Sequence, residues 1–194
     1  MAELNGDNFM WIPDNAGVSI EGESTDTFFG RVKAFEIFDF TFTMKNEEPT
    51  ESPGGGAASQ AGKAKFQEFT VNKMVDSASV PLYKACSLGT MIPTLMLGVR
   101  KASGAGGLLY VQYIFRYNHI TGITWKSGGG GGALEDMTFS FKALGVQYIA
   151  QRPDGSEGKK QAWSWNTAQQ SNRAGSPTLE IPGVPKAPEF LPGH

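Results

Sequence analysis

The chain has 194 residues, 17 Lys and Arg against 19 Asp and Glu, a net charge of −2, and 40% hydrophobic residues. A single domain of this size buries roughly 70% of its unfolded surface. The near-neutral charge gives no electrostatic reason to expect nucleic acid or an anionic membrane as partner.

In chain order, MAELNGDNFMWIPDN opens with acidic residues and no continuous apolar run, so it does not read as a secretory signal. No segment supplies the ~20 apolar residues of a membrane-spanning helix. Synthesis in the cytoplasm without a signal peptide is the expectation, with any export signal-independent. VKAFEIFDFTFTM (residues 32–44) reads as strand, but its phase slips. Phe35 and Ile37 are apolar at odd positions, and Phe38, Phe40 and Phe42 at even ones. A β-bulge near Glu36–Phe38, or a bend where the strand leaves one sheet for another, accounts for that. After the slip the three phenylalanines form a core face, and Asp39, Thr41 and Thr43 the opposite one.

Asn46–Lys65 is too polar and too rich in Gly and Pro to pack a core, and is expected as a long mobile loop with a function. DSASVPLYKACSLG then reads as a short helix over about 79–88. Ser79 is its expected N-cap, Pro81 falls in the first turn, and Gly89 is placed to stop it. Leu82, Ala85 and Cys86 share one face, so the lone cysteine reads as an inert core thiol, and it excludes an intrachain disulfide framework.

Residues 108–125 alternate, with Leu109, Val111, Tyr113, Phe115, Tyr117, Ile123 and Trp125 on one largely apolar face of a long half-buried strand. Lys126–Asp136 reads as a flexible, glycine-rich hairpin connection. MTFSFKALGVQYIA slips in phase as the earlier strand does, from Met137, Phe139 and Phe141 to Leu144, Val146 and Tyr148. Ser171–His194 is proline-rich, cannot continue a sheet, and is expected to be extended or disordered. The fold class is mainly β: an antiparallel two-sheet β-barrel or sandwich with one short flanking α-helix. One domain over residues 1–170 precedes the C-terminal stretch 171–194.

A search for chemistry returns little. His119 and His194 are the two histidines, and one internal His with one Cys does not make a metal site. No nucleophile-elbow pattern stands near a serine. The glycine-rich stretches lack the Lys–Ser/Thr ending of a phosphate loop. The carboxylate pairs Glu21/Glu23, Glu47/Glu48 and Glu135/Asp136 all read as solvated loop charges. Trp11, Trp125, Trp163 and Trp165 read as core or interface anchors rather than a sugar platform. No enzyme and no cofactor are expected.

The order of the pieces carries more. GESTD (Gly22–Asp26) precedes the EIFDFTF strand; after the first Gly-rich stretch come FTVNKMVDSASVPLYKACSLG, LMLGVRKASG and YVQYIFRYNHITGIT. LEDMTFSF, VQYIAQRPDGS and WSWN follow the second. This set resembles the haemolysin-coregulated protein (Hcp) family of type VI secretion inner-tube subunits, over residues 7–167, above all in K-x-V-D-x-x-S leading into the helix. The resemblance implies a β-barrel subunit of hexameric rings that stack into a secreted tube propelled by a contracting sheath. Its partners would be other copies of itself, the sheath, a spike protein and effectors. The resemblance also implies that Asp39, Thr41 and Thr43 line the lumen, and that Glu51, Ser52, Pro53, Gly54, Gly55, Gly56 and Ala57 belong to a ring-stacking loop. A phage-derived tail-tube protein and a monomeric β-barrel module for sugars or small ligands are the competing readings.

Overall fold

The structure is a computed structural model describing residues 6–13, 19–47, 63–101, 107–128, 132–167 and 171–172. In chain order the strands are β1 (Gly6–Trp11), β2 (Phe35–Ile37), β3 (Asp39–Thr41), β4 (Met44–Glu47), β5 (Lys63–Phe66) and β6 (Phe69–Met74). Helix α1 (Ser79–Ser87) follows, then β7 (Ile92–Lys101), β8 (Leu108–Gly128), β9 (Gly132–Ser140), β10 (Ala143–Gln151), β11 (Glu157–Asn166) and β12 (Ser171–Asn172). One sheet runs β12-β11-β10-β8-β7-β1-β2; the second runs β3-β6-β9-β8, and all these pairings are antiparallel. Among the described residues the fold is mainly β, with two sheets and one short helix, as the sequence implies.

Both phase slips mark places where the chain changes sheet. β2 pairs with β1, the chain bends at Phe38, and β3 pairs with β6. Likewise β9 pairs with β6 and β8, and two residues later β10 pairs with β8 and β11 in the other sheet. Such corners let two sheets close over one core. Phe38 itself departs from expectation. At the bend its N–H donates to the Asn72 carbonyl and its C=O accepts from Asn8, and its side chain stays outside at 59% exposure. Only Phe40 and Phe42 of that trio pack on the core.

β8 is shared by both sheets, which the alternation alone did not reveal. Its first part pairs with β7 and β10, and from His119 onward it pairs with β9. The turn lies at Tyr117, whose φ of +56° is the left-handed conformation that a β-branched or bulky residue rarely adopts. Buried Asn118 holds the corner by donating to the carbonyls of Ile92 and Phe115. The apolar face read for β8 therefore does not run through the corner: Tyr117 and Trp125 are exposed, whereas Ile120 is buried.

The main core lies between the sheets and centres on Phe115. Its ring stacks on Phe69 at 4.3 Å and meets Phe42 and Phe141 edge-on. Each such ring contributes on the order of 1.5–3 kcal/mol by burial. Leu82 and Ala85 of α1 enter this core, and Cys86 packs against it half-buried. A second core, on the other side of the first sheet, joins Phe9, Trp11, Met96 and Ile114 to Phe29 and Ala34.

Residues 48–62 lie outside the described residues, but the ends of the expected loop do not read as loop. Met44–Glu47 and Lys63–Phe66 form an antiparallel ribbon, whose Phe66 stacks on Trp163 at 6.4 Å. Residues 173–194 also lie outside the described residues.

Candidate functional site

The K-x-V-D-x-x-S motif is a buried polar knot. Lys73, the penultimate residue of β6, has a fully buried side chain, and its ammonium donates to Glu135 Oε1 (2.7 Å), Asp76 Oδ1 (2.7 Å), the Met74 carbonyl (2.6 Å) and Ser79 Oγ (3.1 Å). Ser79 Oγ donates to Glu135 Oε1 at 2.6 Å, and the Trp125 indole N–H donates to Glu135 Oε2 at 2.7 Å. One network thus ties β6, β8, β9 and α1 together. Two expectations are corrected by it. Ser79 is the first helical residue rather than the N-cap: Ala78 holds that position with no side-chain cap. The Ser79 hydroxyl accepts from the Asp76 N–H instead, and Asp76 Oδ1 accepts from the Ala78 N–H. Glu135 and Asp136 are not loop charges but successive strand residues, one buried and one facing outward. The Lys73 and Ser79 side chains of this contact are both fully buried, and the Ser79 hydroxyl donates to Glu135.

The GESTD motif is a second clasp. Asp26 Oδ1 accepts from the N–H groups of Phe28 and Phe29, and Oδ2 accepts from Arg100 at 2.5 Å. Arg100 also donates to Asp7 and lies over the Phe9 ring at 4.9 Å, fixing the second core to β7. Partial burial pushes the Asp26 carboxyl up, but the Phe29 and Phe28 N–H groups and the Arg100 guanidinium outweigh it and hold it below the usual aspartate range. Gly22 passes so close to the Ala34 carbonyl that a Cβ there would overlap it.

The outward face of the second sheet is an ordered polar wall. Phe69, Val71 and Lys73 are buried, so Thr70, Asn72 and Met74 face the opposite way; on β9 Glu135, Met137 and Phe139 are buried, opposite Leu134, Asp136 and Thr138. Pairing aligns Asp39, Asn72, Asp136 and Thr124 in one row across four strands. Thr41, Thr70, Thr138 and Gly122 make the next row. Asn72 and Lys126 both donate to Asp136, and these two hydrogen bonds, Lys126 first, hold its carboxyl below the ordinary range. Asp39 and Thr41 thus share one face, as expected. Thr43 follows the end of β3, half-buried, and is not in these rows. Sequence reasoning missed the contributions of β6, β8 and β9; the alternation in FTVNKM and ALEDMTFS carried them.

Glu51, Ser52, Pro53, Gly54, Gly55, Gly56 and Ala57 lie outside the described residues. Among the described residues no group of three His, Cys, Asp or Glu side chains is placed to hold a metal ion, and no helix is long and apolar enough to cross a membrane.

Against this geometry, a family model described as "Type VI secretion system effector, Hcp" matches residues 9–148. The chain belongs to the Hcp family. Protein hcp1 of Pseudomonas aeruginosa is 29% identical over 109 residues, covering 55% of this chain and 67% of that protein. A solved structure of a type six secretion system protein superposes with a TM-score of 0.73 at 26% identity, over 86% of this chain and 99% of the other. Hcp1 from Salmonella typhimurium shares the fold, with a TM-score of 0.67 at 22% identity over 86% of this chain and 98% of its own. Membership assigns the chain to type VI secretion, as the ordered motifs imply, and two pieces of that set, K-x-V-D-x-x-S and GESTD, are the clasps described above.

Proposed function

We propose that this Hcp chain is a structural subunit of a type VI secretion tube. Six copies close head to tail into a ring, rings stack, and a contracting sheath drives the tube and its spike out of the cell. Effectors travel in the lumen, and the protein itself leaves the cell with the tube. The observation that carries the lumen assignment is the wall of Asp39, Asn72, Asp136 and Thr124 beside Thr41, Thr70 and Thr138. Across these two rows the hydroxyl, amide and few charged groups stay hydrated and offer little apolar grip to passing cargo, with Met74 and Leu134 of the same face lying beyond them, and the carboxylates select by charge. Thr43 is assigned to the rim of the same surface.

Head-to-tail closure suits a subunit with sheet edges at β2, β3 and β12, because a cyclic contact repeats one pairing of surfaces without leaving a free end. The segment Glu51–Ala57, joined to the barrel by the β4–β5 ribbon, serves ring stacking in this reading. Asp39→Arg tests the lumen assignment. Rings should form normally, while the set of effectors that co-purify with them changes. An unchanged effector set, or a ring structure with Asp39 on its outer surface, would overturn it.

A further inference from the structure

The two carboxylates of the polar wall stand in different electrostatic states. Asp136 is satisfied on both oxygens, since Asn72 Nδ2 donates to Oδ1 and Lys126 Nζ donates to Oδ2. Lys126 lies on the same face, because it pairs with Leu134, two residues before Asp136 on β9. Its charge cancels that of Asp136 at contact distance, and the Lys126 and Asn72 hydrogen bonds together lower the carboxyl's proton affinity. Asp39, at the other end of the row, has no such partner. It is exposed, and among the described residues its carboxylate accepts no hydrogen bond and meets no Lys or Arg. Its neighbour Asn72 turns its amide N–H toward Asp136 instead. β3 pairs only with β6, so within the subunit no further strand lies beyond Asp39 to bring a cation.

The charged residues in the rows of Met74, Leu134 and Lys126, of Asp39, Asn72, Asp136 and Thr124, and of Thr41, Thr70, Thr138 and Gly122 are Asp39, Asp136 and Lys126. Once Lys126 and Asp136 cancel, the carboxylate of Asp39 alone is left uncompensated in them. A lone exposed carboxylate holds a cation weakly in water. Repetition changes that: in a ring, a cargo carrying several cations meets several copies of Asp39 at once, and weak contacts combine. The neutral hydroxyls and amide around Asp39 supply no opposing charge, so a basic cargo surface is attracted and an acidic one repelled.

We propose that Asp39 is the charge-selecting residue of the wall, recognising cargo proteins through clusters of Lys or Arg side chains, and that Lys126 withdraws Asp136 from that role. This selection rests on the tube reading, which supplies the repeated copies and the enclosed face.

Binding of a fluorescently labelled oligolysine peptide to rings of the full-length protein at low salt tests it. Asp39→Asn should weaken binding severalfold, whereas Asp154→Asn, an equal charge change on the turn between β10 and β11, should leave it unchanged. Lys126→Gln should tighten binding severalfold by uncovering Asp136, and Lys159→Gln, the matched change on β11, should not. Equal losses in Asp39→Asn and Asp154→Asn would overturn the proposal, because net charge alone would then account for binding. Lys126→Gln rings that bind no more tightly than Lys159→Gln rings would overturn it too. Failure of the tube reading has a different signature. A ring structure with Asp39 on its outer surface, alongside an intact Asp39 dependence, would overturn the lumen assignment and leave the charge selection in place.

Discussion

Lys73 and Glu135 meet at 2.7 Å with both side chains wholly withdrawn from solvent, at the point where β6, β9 and the start of α1 converge. An ion pair so placed stabilises little relative to apolar residues of the same shape, but it becomes very costly once one partner is removed.

Lys73→Met therefore should lower unfolding free energy by about 3–5 kcal/mol in urea titration, by leaving Glu135 buried without its counter-charge. Adding Glu135→Leu should recover part of that loss. If the double variant is as unstable as the sum of the two single variants, the pair is not coupled as its geometry implies.

The Asp26–Arg100 clasp predicts a specific acid sensitivity. Because the folded-state carboxyl is held below its ordinary value, its contribution is complete above the normal aspartate range and fades as pH falls through the depressed folded value. Asp26→Asn should destabilise the protein by on the order of 2 kcal/mol near neutrality and flatten the stability profile in acid. Thermal unfolding from pH 7 downward measures both, and a parallel profile for parent and variant would contradict it.

Much of the fold was legible because hydrophobic period is set by burial. The slips at Glu36–Phe38 and Phe141–Leu144 announced both sheet changes. The third corner, at Tyr117, was hidden because aromatic residues continue on the odd positions after it, and only the backbone shows that two of them face solvent. Glu135 was misread because Glu–Asp next to a glycine run looks solvated; its partners Lys73 and Ser79 lie more than 50 residues away in sequence. Ser79 reads as an N-cap for a similar reason, since the sequence does not reveal that a buried lysine and carboxylate compete for its hydroxyl. Asp39 and Thr41 were legible as surface from one strand, but the wall they belong to is assembled from four.

Gly22 approaches the Ala34 carbonyl too closely for a side chain. Gly22→Ala should cost about 1–3 kcal/mol, or more, because the obstructing atom is backbone and cannot rotate away. Its effect should appear in chemical denaturation, and a neutral result would mean that the 22–34 contact gives way easily.

Deleting residues 51–61 should leave a folded subunit, since the β4–β5 ribbon and its Phe66–Trp163 contact lie outside the deletion. Stacking of rings into tubes, followed by electron microscopy, should be impaired. Normal tubes and normal export from the deletion variant would remove the stacking role from this segment.

The central claim is that the chain works as a closed ring of copies. Native mass spectrometry of the full-length protein measures this directly. The account predicts a dominant species with the mass of six chains that persists on moderate dilution. A dominant monomer at high protein concentration would contradict it.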